Sequence, residues 1–193
     1  MSRYKNESWV EKFRPKKLDN IVAQDNIISS LKGILKDKNM PHLLFFGPSG
    51  CGKTSTILAL TRELFTDKYF NERVIELNAS DERGIKVVRE KIKRYAQNSV
   101  NTKKDIPNFK VIILDEADSM TSESQCALRK IMEDYSNVTR FCIICNYHQK
   151  IIEPIVSRCS LLRFKPIKPD KILVKLKSIC DHQNIDCSND NLI

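Results

Sequence analysis

No run of apolar residues in this chain of 193 is long enough to cross a bilayer. The N-terminus carries Lys5 and Asn6 and lacks the apolar core of an export signal. A membrane-embedded protein and a secreted one are therefore both outside expectation. A disulfide framework is missing as well. The seven cysteines are odd in number and scattered, which suits a reducing compartment, cytosol or nucleus. The one C-x-x-C pair, Cys142 and Cys145, falls in a stretch that reads as a strand. Positions three apart on a strand point to opposite faces, so a shared metal site is not expected there. No internal repeat is evident, and acidic residues are in deficit: 24 against 33 Lys and Arg, a net charge of +9. A basic surface favours a polyanionic partner such as nucleic acid. A lysine-rich solvated surface would give the same balance. Hydrophobic residues make up 41%, enough for a packed core, and the length suits one α/β domain and the start of another.

What is present is concentrated in Gly47-Pro48-Ser49-Gly50-Cys51-Gly52-Lys53-Thr54. It matches the phosphate-binding loop G-x-x-x-x-G-K-[ST]. Residues 41–46 before it read as a short buried strand, and residues 55–64 after it as a helix with Ile57, Leu58, Leu60 and Leu64 apolar. That context is what the chemistry needs. Glycines let backbone N–H groups turn inward around phosphates, and the helix N-terminus adds partial positive charge. Lys53 would reach the β- and γ-phosphates, and the Thr54 hydroxyl would ligate Mg²⁺.

Further elements follow by periodicity. Helices are expected over 24–36, 85–96 (basic and amphipathic), 122–134 and 170–182, and strands over 73–78, 110–115, 139–145 and 160–164. Ser122 with Gln125 reads as a capping box. Strands alternating with helices imply βαβ units and a parallel sheet. The strand at 110–115 ends in Asp115 and Glu116, delivered to the C-terminal edge of the sheet, where ligands of α/β folds bind. There Asp115 can hold Mg²⁺ through water and Glu116 can take a proton from an attacking water. Thr102-Lys103-Lys104-Asp105 looks like a guanine-reading motif, but it precedes the acidic strand, whereas in GTPases it follows it. The nucleotide is read as ATP.

Taken with Trp9-Val10-Glu11-Lys12-Phe13-Arg14-Pro15, Asn78-Ala79-Ser80-Asp81-Glu82-Arg83-Gly84-Ile85, the run from Phe141 to Tyr147, and Ile151 through Ser157-Arg158-Cys159, these motifs resemble the AAA+ ATPase subunits of replication factor C, the sliding-clamp loader. The resemblance covers nearly the whole chain. It is strongest to small subunits of the eukaryotic complex, with archaeal small subunits a more distant fit. It implies a P-loop AAA+ ATPase domain over residues 1–165, with a parallel five-stranded sheet between helices. The beginning of a small helical lid domain would follow over 166–193. The family's sensor-2 arginine and C-terminal collar would lie beyond the last residue.

The resemblance also implies roles. ATP would be bound by Gly47, Pro48, Ser49, Gly50, Cys51, Gly52, Lys53, Thr54 and Ser55, with Val10, Arg14, Pro15 and Val22 closing over adenine. Asn146 would be the sensor-1 residue that orients the attacking water and contacts the γ-phosphate. Glu116 would be the base. Arg158 would be an arginine finger acting in trans on a neighbour's ATP. Mg²⁺ would sit at Thr54 and Asp115, and Asn78 would restrain Glu116. Arg83, Arg89 and Lys150 would track phosphates of primer–template DNA. The implied partners are other subunits of a heteropentamer, the sliding clamp PCNA and primer–template DNA, with no membrane, in the nucleus. The competing readings are an assembly module that hydrolyses little and another AAA+ DNA motor such as a branch-migration helicase. Asp115-Glu116 with Ser157-Arg158 disfavours the first, and the Ser-Arg-Cys and Glu-Lys-Phe-Arg-Pro boxes the second. Three positions depart from the usual pattern: Ser49, Cys51 and Phe13 stand where Pro, Thr and Tyr are commoner. Cys51, beside a helix N-terminus, is expected to be a reactive thiol; a buried inert residue is the alternative.

Overall fold

The computed structural model describes residues 8–80, 85–97 and 106–185, with the backbone alone at 85–89. The elements run α1 (Trp9–Lys12), α2 (Asp25–Asp37), β1 (Leu43–Phe46), α3 (Lys53–Arg73), β2 (Val74–Asn78), α4 (Ile85–Gln97), β3 (Lys110–Asp115), α5 (Ser122–Asp134), β4 (Thr139–Cys145), α6 (Glu153–Val156), β5 (Ser160–Arg163) and α7 (Pro169–Gln183). Short 3₁₀ turns occupy Leu18–Asn20, Ala117–Ser119 and His148–Lys150.

The five strands form one sheet in the order β2-β3-β4-β1-β5, every pairing parallel. A parallel sheet needs crossovers that cover its faces, so its central strands are buried on both sides. That explains why β3 (Lys-Val-Ile-Ile-Leu-Asp) is apolar without alternation: Val111 to Leu114 are fully buried. Alternate residues go to opposite layers. Leu43, Phe45, Val111, Ile113, Cys142 and Ile144 pack with Ile27, Ile28 and Leu31 of α2 and Ile57, Leu60 and Phe65 of α3. Leu44, Ile112, Leu114, Phe141, Ile143 and Cys145 pack with Ile92 of α4, Leu128 and Met132 of α5 and Ile155 of α6. Cys142 and Cys145 thus lie on opposite faces, as their spacing requires. Truncating one of these fully buried Leu or Ile side chains to Ala costs about 2–5 kcal/mol.

Two local readings are corrected. The helix after the phosphate loop continues past Leu64 to Arg73, with a break at Thr66 (φ 58°, ψ 160°) that turns its last part onto a new course. The cap of α5 is Thr121, whose hydroxyl accepts from Ser124 N at 3.3 Å. No capping box forms, because Gln125 turns inward. Its amide donates to the carbonyls of Met120 (3.2 Å) and Lys150 (2.9 Å) and accepts from Ile152 N at 2.8 Å.

Candidate nucleotide-binding and hydrolysis site

The phosphate loop leaves β1 at Phe46 and enters α3 at Lys53. Gly47 has φ +147°, and a Cβ there would lie 2.3 Å from the carbonyl oxygen of Phe164. The loop therefore lies hard against the exit of β5. Gly52, the N-cap residue of α3, is left-handed (φ 91°) and has no side chain to cap the helix. The first-turn N–H groups are left facing the loop, an arrangement suited to phosphate. Lys53 is buried, and its Nζ donates to the carbonyls of Gly47 and Pro48, each at 2.8 Å, and to Asn146 Oδ1 at 3.0 Å.

Three neighbouring strands deliver the chemistry. The Thr54 hydroxyl, in the first turn of α3 beyond β1 and the loop, donates to Asp115 Oδ2 at the end of β3 (2.6 Å). Asn146 follows the end of β4, which lies between β1 and β3. Arg14, Ser49, Lys53, Thr54, Asp115, Glu116 and Asn146 line one cavity of about 340 Å³. Glu116 is exposed and left-handed (φ 54°, ψ 36°). Its N–H donates to Asp115 Oδ1 (2.8 Å) and its carbonyl accepts from the Ser119 hydroxyl (2.7 Å). A non-glycine residue in this conformation costs of order 1–3 kcal/mol and persists where neighbours over-determine it.

A hydroxyl and a carboxylate at hydrogen-bond distance fit Mg²⁺, which takes one or two protein oxygens and completes its shell with water and phosphate. Among the described residues no group of three or more His, Cys, Asp or Glu could hold a metal by protein ligands alone.

A second cavity, of about 520 Å³, adjoins the loop. Val10, Arg14, Pro15 and Val22 all line it, joined by Trp9, Phe13 and Ile21 from the N-terminal segment. Ile167, Leu176 and Ile179 close its other side. These three on and before α7 were not foreseen as site residues, since their apolar pattern is indistinguishable from ordinary core packing. Arg14 lines both cavities and pairs with Glu11 at 2.6 Å. Burial holds the Glu76 carboxyl above its ordinary value, against the opposing pull of Arg14.

Other expected residues fall elsewhere. Arg158 precedes β5, whose first residue Ser160 is level with Leu43 at the start of β1. Gly47 lies four residues further on, about 13 Å along the strand direction. Arg158 is thus at the opposite end of the sheet from the loop, where its guanidinium pairs with Glu133 at 2.6 Å and donates to the Pro154 carbonyl at 2.5 Å. The Asn78 amide oxygen accepts from Ser80 N (2.9 Å) and the Ser80 hydroxyl (2.8 Å), and among the described residues no hydrogen bond joins Asn78 to Glu116. Lys150 is exposed, its Nζ 5.4 Å from the Tyr147 ring centre. Arg83, the Arg89 side chain and residues 102–105 lie outside the described residues.

Cys51 is only 2% exposed, its Sγ 2.8 Å from the Pro48 carbonyl oxygen. That burial favours the buried alternative over the expected reactive thiol. Two more residues were missed, because their partners are backbone groups that leave no sequence pattern. Gln24 donates to the carbonyls of Cys51 (3.3 Å) and Lys165 (2.8 Å) and accepts from Lys165 N (3.3 Å), tying the loop to the stretch before α7. Asp118 accepts from the N–H groups of Asn146 and Tyr147, each at 3.2 Å.

The model of the ATPase family associated with various cellular activities (AAA) matches residues 43–167. The chain is 52% identical over 190 residues to replication factor C subunit 2 of Saccharomyces cerevisiae, an alignment covering 95% of this chain and 54% of that protein. It is 52% identical to replication factor C subunit 4 of Homo sapiens (95% of this chain, 52% of that protein). It is 50% identical to the replication factor C small subunit of Aeropyrum pernix (95% and 55%). The archaeal protein thus matches almost as well as the eukaryotic ones. The chain spans about half the length of the curated relatives it matches. Its fold is similar to that of the RuvB Holliday junction branch migration motor of Thermotoga maritima, with TM-score 0.68 and 16% identity over 92% of this chain and 57% of that one.

Proposed function

This chain belongs to the AAA family of ATPases, and from that premise we propose that it binds ATP with Mg²⁺ and hydrolyses it as the ATPase region of a clamp-loader small subunit. One observation carries the reading. Lys53, Thr54, Asp115, Glu116 and Asn146, drawn from three strand ends, converge on one cavity beside a second, apolar one. The polar cavity suits a triphosphate and the apolar one a base. In this reading backbone N–H groups of residues 47–55 and the Lys53 ammonium hold the phosphates. Thr54 and Asp115 hold Mg²⁺, which when bound offsets phosphate charge. Glu116 takes the proton of a water that Asn146 orients for in-line attack.

Arg158 supplies positive charge to ATP held by a neighbouring subunit. Its position at the far end of the sheet supports action in trans rather than on its own site. The residues from 166 onward begin a lid domain that closes the apolar cavity through Leu176 and Ile179. Replication factor C naming among the relatives supports the wider role: assembly with other subunits into a heteropentamer, opening of the sliding clamp PCNA, and release on primer–template DNA in the nucleus. Arg83, Arg89 and Lys150 are assigned to DNA phosphates, which position without reading sequence.

Two variants separate binding from turnover. Glu116→Gln keeps shape and removes the base, so ATP affinity is retained and hydrolysis falls by about 10²-fold or more. Lys53→Ala removes a ground-state phosphate contact, so affinity itself falls. Titration with a fluorescent ATP analogue alongside steady-state phosphate release distinguishes them. Wild-type hydrolysis in Glu116→Gln rejects Glu116 as the base.

A further inference from the structure

We infer that Asp118 is a positioning residue for hydrolysis, fixing Asn146 relative to Glu116 by holding the backbone of the sensor strand's end. The inference rests on the hydrolytic reading above and assigns it a residue outside the phosphate, metal and base sets.

A water deprotonated by one group and oriented by another attacks in line only if both groups are held in register. Glu116 and Asn146 belong to different strands, β3 and β4. The ladder between those strands runs from Lys110↔Thr139 to Leu114↔Ile143 and stops there. Both functional side chains lie beyond its last rung. What crosses the gap is the Asp118 carboxylate, whose Oδ2 accepts from Asn146 N and Tyr147 N at 3.2 Å each. Asp118 sits in the 3₁₀ turn Ala117–Ser119 that begins directly after Glu116. That turn is itself pinned to the base residue: Ser119 N (2.9 Å) and the Ser119 hydroxyl (2.7 Å) both donate to the Glu116 carbonyl. Base and sensor therefore share one rigid turn, with Asp118 as its arm.

The chemistry of the acceptor fits this task. One carboxylate oxygen with several lone-pair directions can accept two successive N–H groups, and a charged acceptor makes such bonds roughly twice as strong as a neutral one. Asp118 is half-buried, and its charge is felt locally, since burial and Asp118 together push the Cys145 thiol up to about 12. Its side chain does not line the phosphate cavity. Its effect therefore falls on the rate rather than on nucleotide affinity. A displacement of about 1 Å in a positioned group lowers rates by up to about 10²-fold.

The test uses the purified full-length protein with its assembly partners, measuring ATP turnover and ATP-analogue affinity. Asp118→Ala is expected to slow turnover between about 10- and 100-fold with affinity within about twofold of wild type. Asp118→Asn, whose amide oxygen still accepts, is expected to recover most of the rate. In an Asn146→Ala background, Asp118→Ala is expected to lower turnover by less than about twofold, because its effect passes through Asn146. Should Asp118→Ala lose its cooperative melt, Asp118→Leu, of similar size without an acceptor, takes its place. Undiminished turnover in Asp118→Ala, or in Asp118→Leu where it replaces it, while Glu116→Gln is inactive overturns the inference and leaves the hydrolytic reading intact. Fully multiplicative losses in the double variant also overturn it. Undiminished turnover in Glu116→Gln strikes at the hydrolytic reading itself.

Discussion

Lys53 shows how a short motif is turned into a site. Its ammonium is buried and shared among two loop carbonyls and Asn146, so one cation links the loop to the end of β4. The loop can take this shape only because Gly47 is pressed against Phe164. Gly47→Ala would drive a Cβ into a backbone oxygen and strain a positive φ, so the loop must move. The expected result is a loss of about 1–3 kcal/mol in stability together with weakened ATP binding, read by denaturant melts and analogue titration. A variant that melts and binds like wild type would show that the loop tolerates a shift there. At this scale the sequence is most legible where function is local. Phosphate-loop glycines, Lys53 and Thr54 are adjacent in the chain, and Asp115-Glu116 closes an apolar strand. Gln24 and Asp118 stayed hidden because they reach 27 or more residues away to backbone atoms, which any sequence supplies. Cys51 misled because proximity to a helix N-terminus says nothing about burial.

Elements were legible to the extent that their pattern is dictated by burial on two sides. β3, β4 and α5 have the bounds their composition indicates, since continuous apolar runs and a helical period leave little choice. The second half of α3 was not legible, because residues beyond Leu64 are largely polar and the break at Thr66 has no Gly or Pro to announce it. The junction of β1 and β4 carries a pH dependence. His42 accepts from Phe141 N at 3.1 Å through Nδ1. Burial, aided by the neighbouring Arg140 guanidinium, lowers the imidazole to about 4. The unfolded chain binds this proton near pH 6.5 and the folded one only near pH 4. Between these values the unfolded state holds more protons, so stability falls as pH drops from 6.5 toward 4 and levels below. The slope is at most about 1.4 kcal/mol per pH unit, less with solvent screening. His42→Gln is expected to flatten the melting-temperature profile between pH 6.5 and 5. An unchanged slope would mean that the imidazole is not the titrating group.

At the scale of the whole molecule, the strand order brings three functional strand ends side by side and sends Arg158 to the other end of the sheet. A parallel sheet was legible from alternating elements, but its order was not, because strand neighbours are set by crossovers rather than by any residue pattern. The α7 side of the apolar cavity was illegible for a similar reason: Ile167 and Leu176 meet the N-terminal segment across a long stretch of chain. The central claim is that ATP is hydrolysed at a site this chain builds and a neighbour's arginine completes. The most direct measurement is ATP turnover of the full-length protein, alone and with its partner subunits, as wild type and Arg158→Ala. An arginine supplied in trans is worth about 10³-fold or more in rate. The account predicts slow turnover alone, a large rise on assembly, and with Arg158→Ala loss of the part of that rise contributed by the neighbouring site Arg158 serves, while the protein's own ATP affinity stays unchanged. Equal turnover alone and assembled, unaffected by Arg158→Ala, would contradict it.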